Sequence, residues 1–232
     1  MSNTFFEMIH PGLIMIAAGL LIIALPEKVR PYIQVGGPLI AAISLFFMND
    51  QSSLIYNVSR TISIEFIQFD RLAYIFMLAF VIIAVLNAIY SLGVQKKLEA
   101  GMSLVYAGTV MGIILAGDCL SLIIFWELSV IPSTYLIYSR HCRKSGRASF
   151  RYLLVHAFGG NFMLVGLIIY IFNKGMTITN ISNDSNHLYY WFILIGAAVN
   201  AAIPPLNSWV SDAYPESTIG GTLFLASYTT KA

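Results

Sequence analysis

Charged residues are scarce in this sequence, and their scarcity sets the class of protein. Only 10% of its 232 residues are Asp, Glu, Lys or Arg, while 58% are hydrophobic. A soluble domain carries about 25% charged residues, so this chain cannot cover a surface that faces water. The same apolar content excludes an intrinsically disordered chain. Composition therefore indicates an integral membrane protein.

Cysteine, histidine and net charge are also low. The only two cysteines, Cys119 and Cys142, exclude a secreted disulfide scaffold. They stand about 30 Å apart, near opposite ends of one apolar run, and cannot bond to each other. A formal net charge of +2 leaves no basic face for nucleic acid. Without a cysteine cluster, a glycine-rich phosphate loop or a histidine pair, the sequence predicts no metal, no cofactor and no redox site.

Long apolar runs are what the sequence does contain. A bilayer core needs about 20 apolar residues as helix. Seven runs approach or exceed that length, and an eighth opens near Thr218. They are continuously apolar, which disfavours the alternating pattern of a transmembrane β-barrel. The sequence therefore predicts an all-α, polytopic transmembrane helix bundle of seven to eight helices. The seven complete runs cover residues 11–25, 35–48, 72–92, 102–116, 119–138, 152–172 and 189–210.

Lysine and arginine are distributed unevenly between the predicted loops. If the N-terminus lies outside, most of them fall in inside loops, as the positive-inside rule requires. We therefore expect a multi-pass protein of the cell membrane with its N-terminus outside. The inside group is Lys28, Arg30, Lys96, Lys97, Arg140, Arg143, Lys144, Arg147 and Arg151, and the outside group is Arg60, Arg71 and Lys174.

Glu127, in the sequence FWELSVIP, lies near the middle of the fifth run, about 13 Å along the helix from Asp118. A charge at that depth costs about 2.5–3.5 kcal/mol on insertion scales, so it needs a reason. It can be a carboxylate that exchanges protons, with its charge switched by a neighbouring cation. The alternative is a structural glutamate hydrogen-bonded to a facing helix.

Lys231 lies about 20 Å into the eighth run, counted from Thr218. A desolvated lysine can titrate closer to neutrality than a free one. Lys231 is therefore a candidate charge partner for Glu127 or a proton carrier. The alternative is a lysine at an interface.

Asn200 and the pair Pro204-Pro205 predict a break in the seventh helix. A proline has no N–H and clashes with the carbonyl four residues earlier, so this pair frees the carbonyls of Asn200 and Ala201. Freed backbone at membrane depth is tolerated beside protein or water, and transporters use broken helices as ion or proton sites. A kink used only for packing remains the alternative.

His156 lies early in the sixth run, before Gly159 and Gly160. The glycines predict close helix approach. The histidine can relay protons between the inside water and Glu127. A purely structural histidine remains the alternative.

Two stretches resemble a known family. AGDCLSLIIFWELSVIPSTYLI followed by RYLLVHAFGG is similar to the fifth and sixth helices of antiporter-like, proton-conducting membrane subunits. IGAAVNAAIPPLNSWVSDAYPESTIGGTLFLASYTTKA resembles their seventh helix, its break and the start of the eighth. The family includes the D subunit of the Mrp-type multisubunit cation/proton antiporters and equivalent subunits of respiratory complex I and membrane-bound hydrogenases. The resemblance covers roughly residues 72–232.

The resemblance implies roles for single residues. Glu127 matches the fifth-helix glutamate that modulates a neighbouring lysine, and Lys231 matches the eighth-helix lysine that carries or relays protons. A lysine often found before the break of the seventh helix is here Asn200, which cannot carry a proton as a base but can coordinate a cation or order water. The family fold is a bundle of about fourteen helices in two inverted repeats.

The resemblance also divides the chain. Residues 1–71 would hold two N-terminal helices and an outside loop, and residues 72–232 an antiporter-like translocation region that stops within its eighth helix. Three explanations fit a sequence that stops there: a split subunit whose C-terminal half is a separate chain, a fragment of a longer chain, or a degenerate copy.

The function implied is translocation of protons, with or without exchange for Na⁺, within a multisubunit antiporter complex in the lipid bilayer. One alternative is the same kind of chain in a complex I-like or hydrogenase complex, where other subunits hold the redox centres. Another is a structural subunit that transports nothing. The expected partners are other membrane subunits.

Overall fold

A bundle of helices makes up the protein in a computed structural model that describes residues 10–48, 52–57, 63–93, 96–178, 181 and 184–231. Four of the helices, α3 to α6, are long and apolar enough to cross a membrane, and α1, α7 and α9 are shorter and apolar. The predicted helical membrane bundle is thus confirmed. The helices are α1 (Pro11–Ala24), α2 (Arg30–Leu45), α3 (Arg71–Ser91), α4 (Lys97–Leu115), α5 (Cys119–Tyr138), α6 (Arg143–Lys174), α7 (Leu188–Asn200), α8 (Ser208–Ala213) and α9 (Ile219–Tyr228).

A β-hairpin between α2 and α3 was not predicted from the sequence. Its strands β1 (Ser53–Asn57) and β2 (Ser63–Gln68) pair antiparallel. The hairpin is tied to the start of α5, because the Glu65 N–H donates to an Asp118 carboxylate oxygen at 2.6 Å and the Gly117 N–H donates to the Glu65 carbonyl at 3.0 Å. Strands this short give a weak sequence signal beside apolar runs of 14 residues or more.

Helix α4 lies at the centre of the bundle. Of its most apolar segment 78% is buried, against 33–39% for the other three long helices. Glycines allow α1 to pack closely against it: a Cβ added at Gly12 or at Gly108 would lie 2.5 Å from the carbonyl oxygen of the other. Small residues at such crossings bring backbones together, which is how dispersion forces stabilise helix pairs in lipid.

Helix α6 is longer than its apolar run. Its 32 residues span about 48 Å, so the helix extends past a bilayer core of about 30 Å. The extra turns are the basic ones before Tyr152, since arginine, lysine and alanine favour helix even outside lipid. The Cys142 thiol caps this start by accepting from the Ser145 N–H at 3.3 Å.

Contacts between basic side chains and neighbouring segments define one end of the bundle, which we call the basic end. Arg30 donates to the Leu92 carbonyl at 3.0 Å, Arg140 to the Pro215 carbonyl at 3.0 Å, and Arg151 pairs with Asp212 at 2.6 Å. The starts of α2, α6 and α9 and the ends of α3 and α5 therefore meet there. Arg60, predicted for the other end, lies outside the described residues.

Candidate functional site

The seventh helix is broken where the prolines predicted. Helix α7 ends at Asn200, residues 201–207 form turns, and α8 begins at Ser208. Ala202 has a φ of +55°, a backbone conformation that few side chains adopt. The indole N–H of Trp209 returns to the end of α7 and donates to the Val199 carbonyl at 3.0 Å. This hydrogen bond ties the start of α8 to the end of α7 across the break.

Asn200 faces the interior of the bundle, whereas the two prolines do not. Its amide nitrogen donates to the Thr229 carbonyl at 3.2 Å and so joins the end of α7 to the end of α9. Pro204 and Pro205 are exposed, and Pro205 lines an apolar crevice of about 300 Å³ with Leu206. The structure therefore separates the three residues: Asn200 belongs to the polar interior, and the prolines only shape the break.

His156 is buried beside Asn200. Its ring stacks on Tyr152 with centroids 3.9 Å apart and meets Trp209 edge-on at 4.6 Å. Its Nδ1 lies 3.2 Å from the Tyr152 carbonyl. A carbonyl only accepts, so that bond places the proton on Nδ1 and leaves a lone pair on Nε2. Among the described residues Nε2 has no hydrogen-bond partner, although Asn200 lines the same tight crevice.

Glu127 lies against the face of α6 that carries His156. A Cβ added at Gly160 would be 2.7 Å from the Glu127 Oε1 atom, so the carboxylate covers that glycine. His156 precedes Gly160 by one helical turn, about 6 Å. Glu127 and its neighbour Leu128 are both exposed on the surface of this chain. Glu127 and His156 therefore lie on the same face of α6, about one helical turn apart.

Lys231 is not paired with Glu127 in this structure. Its amine donates to the Ala226 carbonyl at 2.8 Å and to the Thr230 hydroxyl at 2.7 Å, and the side chain is exposed. The ion pairs of the described residues are Arg30–Glu27, Arg140–Glu216, Arg151–Asp212 and Lys174–Asp184. A Glu127–Lys231 pair remains a prediction about another arrangement of the chain.

Aromatic and hydroxyl side chains extend the polar interior in a way that the sequence did not predict. The Tyr106 hydroxyl of α4 donates to the Thr229 hydroxyl at 2.7 Å, and Asn200 binds the carbonyl of the same threonine. Helices α4, α7 and the end of α9 thus meet at Thr229. A tyrosine inside a buried apolar run was the available signal, because its hydroxyl requires a partner.

Glu99 is a second buried carboxylate that was not predicted from the sequence. It lies in the first turn of α4, is 3% exposed, and accepts a hydrogen bond from the Thr218 hydroxyl, the N-cap of α9. The predicted fourth run began at Met102, which placed Glu99 in a loop. Helix α4 in fact begins at Lys97. Within the described residues, no cluster of three or more His, Cys, Asp or Glu could hold a metal ion.

Curated relatives of this chain are subunits of antiporters and of quinone oxidoreductases. The A subunit of a Na⁺/H⁺ antiporter from Alkalihalophilus pseudofirmus is 28% identical over 165 residues, which are 64% of this chain and 20% of that protein. An NAD(P)H-quinone oxidoreductase chain 4 from Picosynechococcus is 29% identical over 140 residues, 57% of this chain and 26% of the relative. The chain thus spans between 20% and 26% of the length of these two relatives.

Solved structures share the fold. A chain of an archaeal membrane-bound sulfane sulfur reductase superposes with a TM-score of 0.78 at 20% identity, covering 95% of this chain and 49% of the other. A chain of the Mrp complex from Dietzia gives 0.75 at 20% identity, covering 96% and 45%. Respiratory complex I from Thermus thermophilus gives 0.74 at 19%, covering 95% and 49%. The helix bundle of this chain therefore corresponds to about half of each of these larger chains.

A family model supplies the assignment. The model of the transmembrane region of the NADH:quinone oxidoreductase/Mrp antiporter family matches residues 116–232. That is half of the chain, and it includes Glu127, His156, Asn200 and Lys231. The chain belongs to the NADH:quinone oxidoreductase/Mrp antiporter family.

Proposed function

We propose that this chain moves protons across a membrane within a multisubunit complex. The observation that carries the proposal is the Glu127 carboxylate seated on α6 one turn from His156, whose Nε2 lone pair faces the broken helix. An acid and a base one helical turn apart at membrane depth can exchange a proton through an intervening water. Within the chain, residues 72–232 form the translocating region.

The orientation follows from charge. The basic end holds nine of the thirteen lysines and arginines of the chain, so it faces the inside of a cell membrane and the N-terminus lies outside. Each of the seven apolar segments then crosses or enters the membrane. The chain has no redox chemistry of its own in this proposal.

The site residues act in sequence. Glu127 holds a proton or a negative charge, and its approach to a cation such as Lys231 is worth about 4 kcal/mol at 4 Å for an effective dielectric constant of 20. Opening and closing that pair changes the proton affinity of both groups. His156 passes protons between Glu127 and the basic end, and Asn200 orders water or a cation, Na⁺ included, beside the break.

Partner subunits complete the site. Glu127 is exposed in this chain, yet a carboxylate at membrane depth is costly without a polar or charged neighbour. We infer that another membrane segment of the complex, or a chain supplying a C-terminal half, covers this face. The driving reaction then lies elsewhere: ion exchange in an Mrp-type antiporter, or electron transfer in a complex I-like or hydrogenase complex. Subunits that co-purify in mild detergent decide between the two.

Glu127→Gln tests the proposal. The amide keeps the shape of the carboxylate but cannot hold a proton, so we expect proton flux in vesicles carrying the assembled complex to fall by at least about tenfold. Glu27→Gln is the matched control, because Glu27 is an exposed partner of Arg30 at 2.7 Å and such pairs contribute little. Assembled complex with unchanged flux would favour a structural role instead.

A further inference from the structure

Three polar side chains form a stripe along one face of α4. Glu99, Ser103 and Tyr106 are spaced at i, i+4 and i+7, which places them on one side of a helix. All three are buried, with exposed fractions of 3%, 0% and 2%. Glycine, alanine, leucine and valine surround them in sequence. A buried polar stripe in the central helix of a membrane bundle is expensive and requires a role beyond packing.

The stripe runs beside α9 from its first residue to its last turn. Glu99 accepts from the hydroxyl of Thr218, the N-cap of α9. Tyr106 donates to the hydroxyl of Thr229, the C-cap of α9, at 2.7 Å. The distance from Glu99 to Tyr106 along α4 is about 10 Å. The stripe therefore joins the basic end of the bundle to the interior where Asn200 binds Thr229.

The stripe opens to solvent at the basic end. A cleft of about 650 Å³ lies there, lined by Ser217, Thr218 and Thr222 with Arg140 at its edge. The hydroxyl groups of Ser217 and Thr222 hydrogen-bond to each other. Thr218 belongs both to the cleft and to Glu99, so one hydroxyl separates water in the cleft from a buried carboxylate.

Few charged or titratable side chains lie near the Glu99 carboxylate. From α5, Tyr135 interacts with it electrostatically. From the segment before α9, Glu216 is engaged by Arg140 at 3.6 Å. From α4 itself, Lys97 stands two residues away. No ion pair of Glu99 is found in the described ranges, so the Thr218 hydroxyl is the hydrogen-bond donor that its carboxylate is seen to accept from.

We propose that Glu99 is the proton-accepting group at the basic end of an uptake path that runs through Ser103, Tyr106 and Thr229. The inference rests on the proposed function and adds to it the group that takes up protons from one side. A proton from water in the cleft binds a Glu99 carboxylate oxygen. It leaves for the Tyr106 hydroxyl through Ser103, and Tyr106 gives its own phenolic proton to Thr229. Thr229 passes its own hydroxyl proton to water beside Asn200, so each hydroxyl gains one proton and loses one.

The experiment compares Glu99→Gln with Glu216→Gln in vesicles that carry the assembled complex. Glutamine still accepts from Thr218 but cannot be protonated. We expect at least tenfold lower proton flux and loss of its dependence on pH at the basic side, while Glu216→Gln retains both. Assembled Glu99→Gln complex with wild-type flux and pH profile would overturn the inference. If the wild-type complex moves no protons, the proposed function itself fails, which is a separate result.

Two tyrosine variants test the path if the Glu99→Gln complex does not assemble. Tyr106→Phe removes only the hydroxyl that reaches Thr229, and Tyr228→Phe removes one that donates to the Phe80 carbonyl at 2.9 Å. We expect slower flux only for Tyr106→Phe. Equal flux in both variants would contradict the path.

Thiol labelling tests the uptake path independently of transport. Cys142 is exposed at the basic end, so the background is Cys142→Ser, which keeps a good helix cap. Thr218→Cys should react with a small, membrane-impermeant thiol reagent added at the basic side and not with reagent from the other side, whereas the fully buried position of Ser103→Cys should leave that thiol unreacted. A Thr218→Cys protein that resists the reagent from the basic side would contradict access from the cleft.

Discussion

At the scale of single residues, the contact between Glu127 and Gly160 is central to the candidate site. The glycine has no side chain, and the carboxylate occupies the space that a Cβ would fill, 2.7 Å from its position. This contact holds the acid of α5 against the helix that carries His156. The sequence indicated Glu127 and His156 separately, from the cost of polar groups in lipid. It could not show that Glu127 packs on a glycine one turn from His156.

Gly160→Ala tests that contact. The new methyl group must displace the carboxylate, so we expect proton flux of the assembled complex to fall severalfold with little change in stability. Gly146→Ala in the same helix is the control, because a Cβ there meets nothing within 4 Å and alanine favours helix over glycine by about 1 kcal/mol. Flux that is equal in the two variants would show that the position of Glu127 against α6 does not matter.

At the scale of elements, the predicted helix ends determined which buried polar residues could be identified from the sequence. Helix α5 has the bounds that its apolar run predicted, Cys119–Tyr138, since Asp118 and its capping hydrogen bonds coincide with the edge of the run. Helix α4 begins five residues before its predicted run, which hid Glu99. Polar residues can extend a helix beyond its apolar run, either outside the lipid or within the protein interior. A hydropathy profile detects neither kind of extension.

The α1–α4 crossing should be the most sensitive packing contact of the described bundle. In Gly108→Ala the methyl group would meet the backbone carbonyl of Gly12 at 2.5 Å, and backbone cannot rotate away as a side chain can. We expect a loss of about 1–3 kcal/mol, as is usual for overpacking, seen as a lower thermal unfolding midpoint in detergent. Gly36→Ala in α2 meets nothing within 4 Å and should unfold at the wild-type temperature; equal midpoints would contradict close packing.

At the scale of the whole molecule, stability should depend on pH through His10. Its buried Nδ1 accepts from the N–H groups of Gly12 and Leu13 at 3.0 and 3.3 Å and so caps α1. Burial lowers the pKa of His10 from 6.5 to about 4. The folded state holds the neutral ring, so unfolding takes up a proton between those values. The stability that this provides is complete above about pH 6.5 and is lost as the pH falls toward 4.

We expect the unfolding midpoint of the wild-type protein to drop between about pH 6.5 and 4, with a loss on the order of 3 kcal/mol from His10. His10→Asn is the control, because asparagine also caps a helix but does not titrate. The difference between the two pH profiles isolates His10 from other groups. Parallel profiles would mean that His10 is not buried as a neutral cap.

The sequence by itself determined the environment of this protein and most of its elements. Too few charges to face water and runs of apolar residues leave a helical membrane bundle as the physical solution, and Pro204-Pro205 must break the seventh helix because they lack N–H groups. The motifs around Glu127 and Lys231 indicated the family.

Only the tertiary structure decided which polar groups meet. Glu99 with Thr218, Tyr106 with Thr229, and Glu127 with Gly160 join residues on different helices, and hydropathy along one chain contains no information about their pairing. Lys231 was a candidate partner of Glu127, and in this structure its amine donates to the Ala226 carbonyl of α9. Such contacts depend on crossing angles and on the positions of glycines, because packing in lipid is short-ranged.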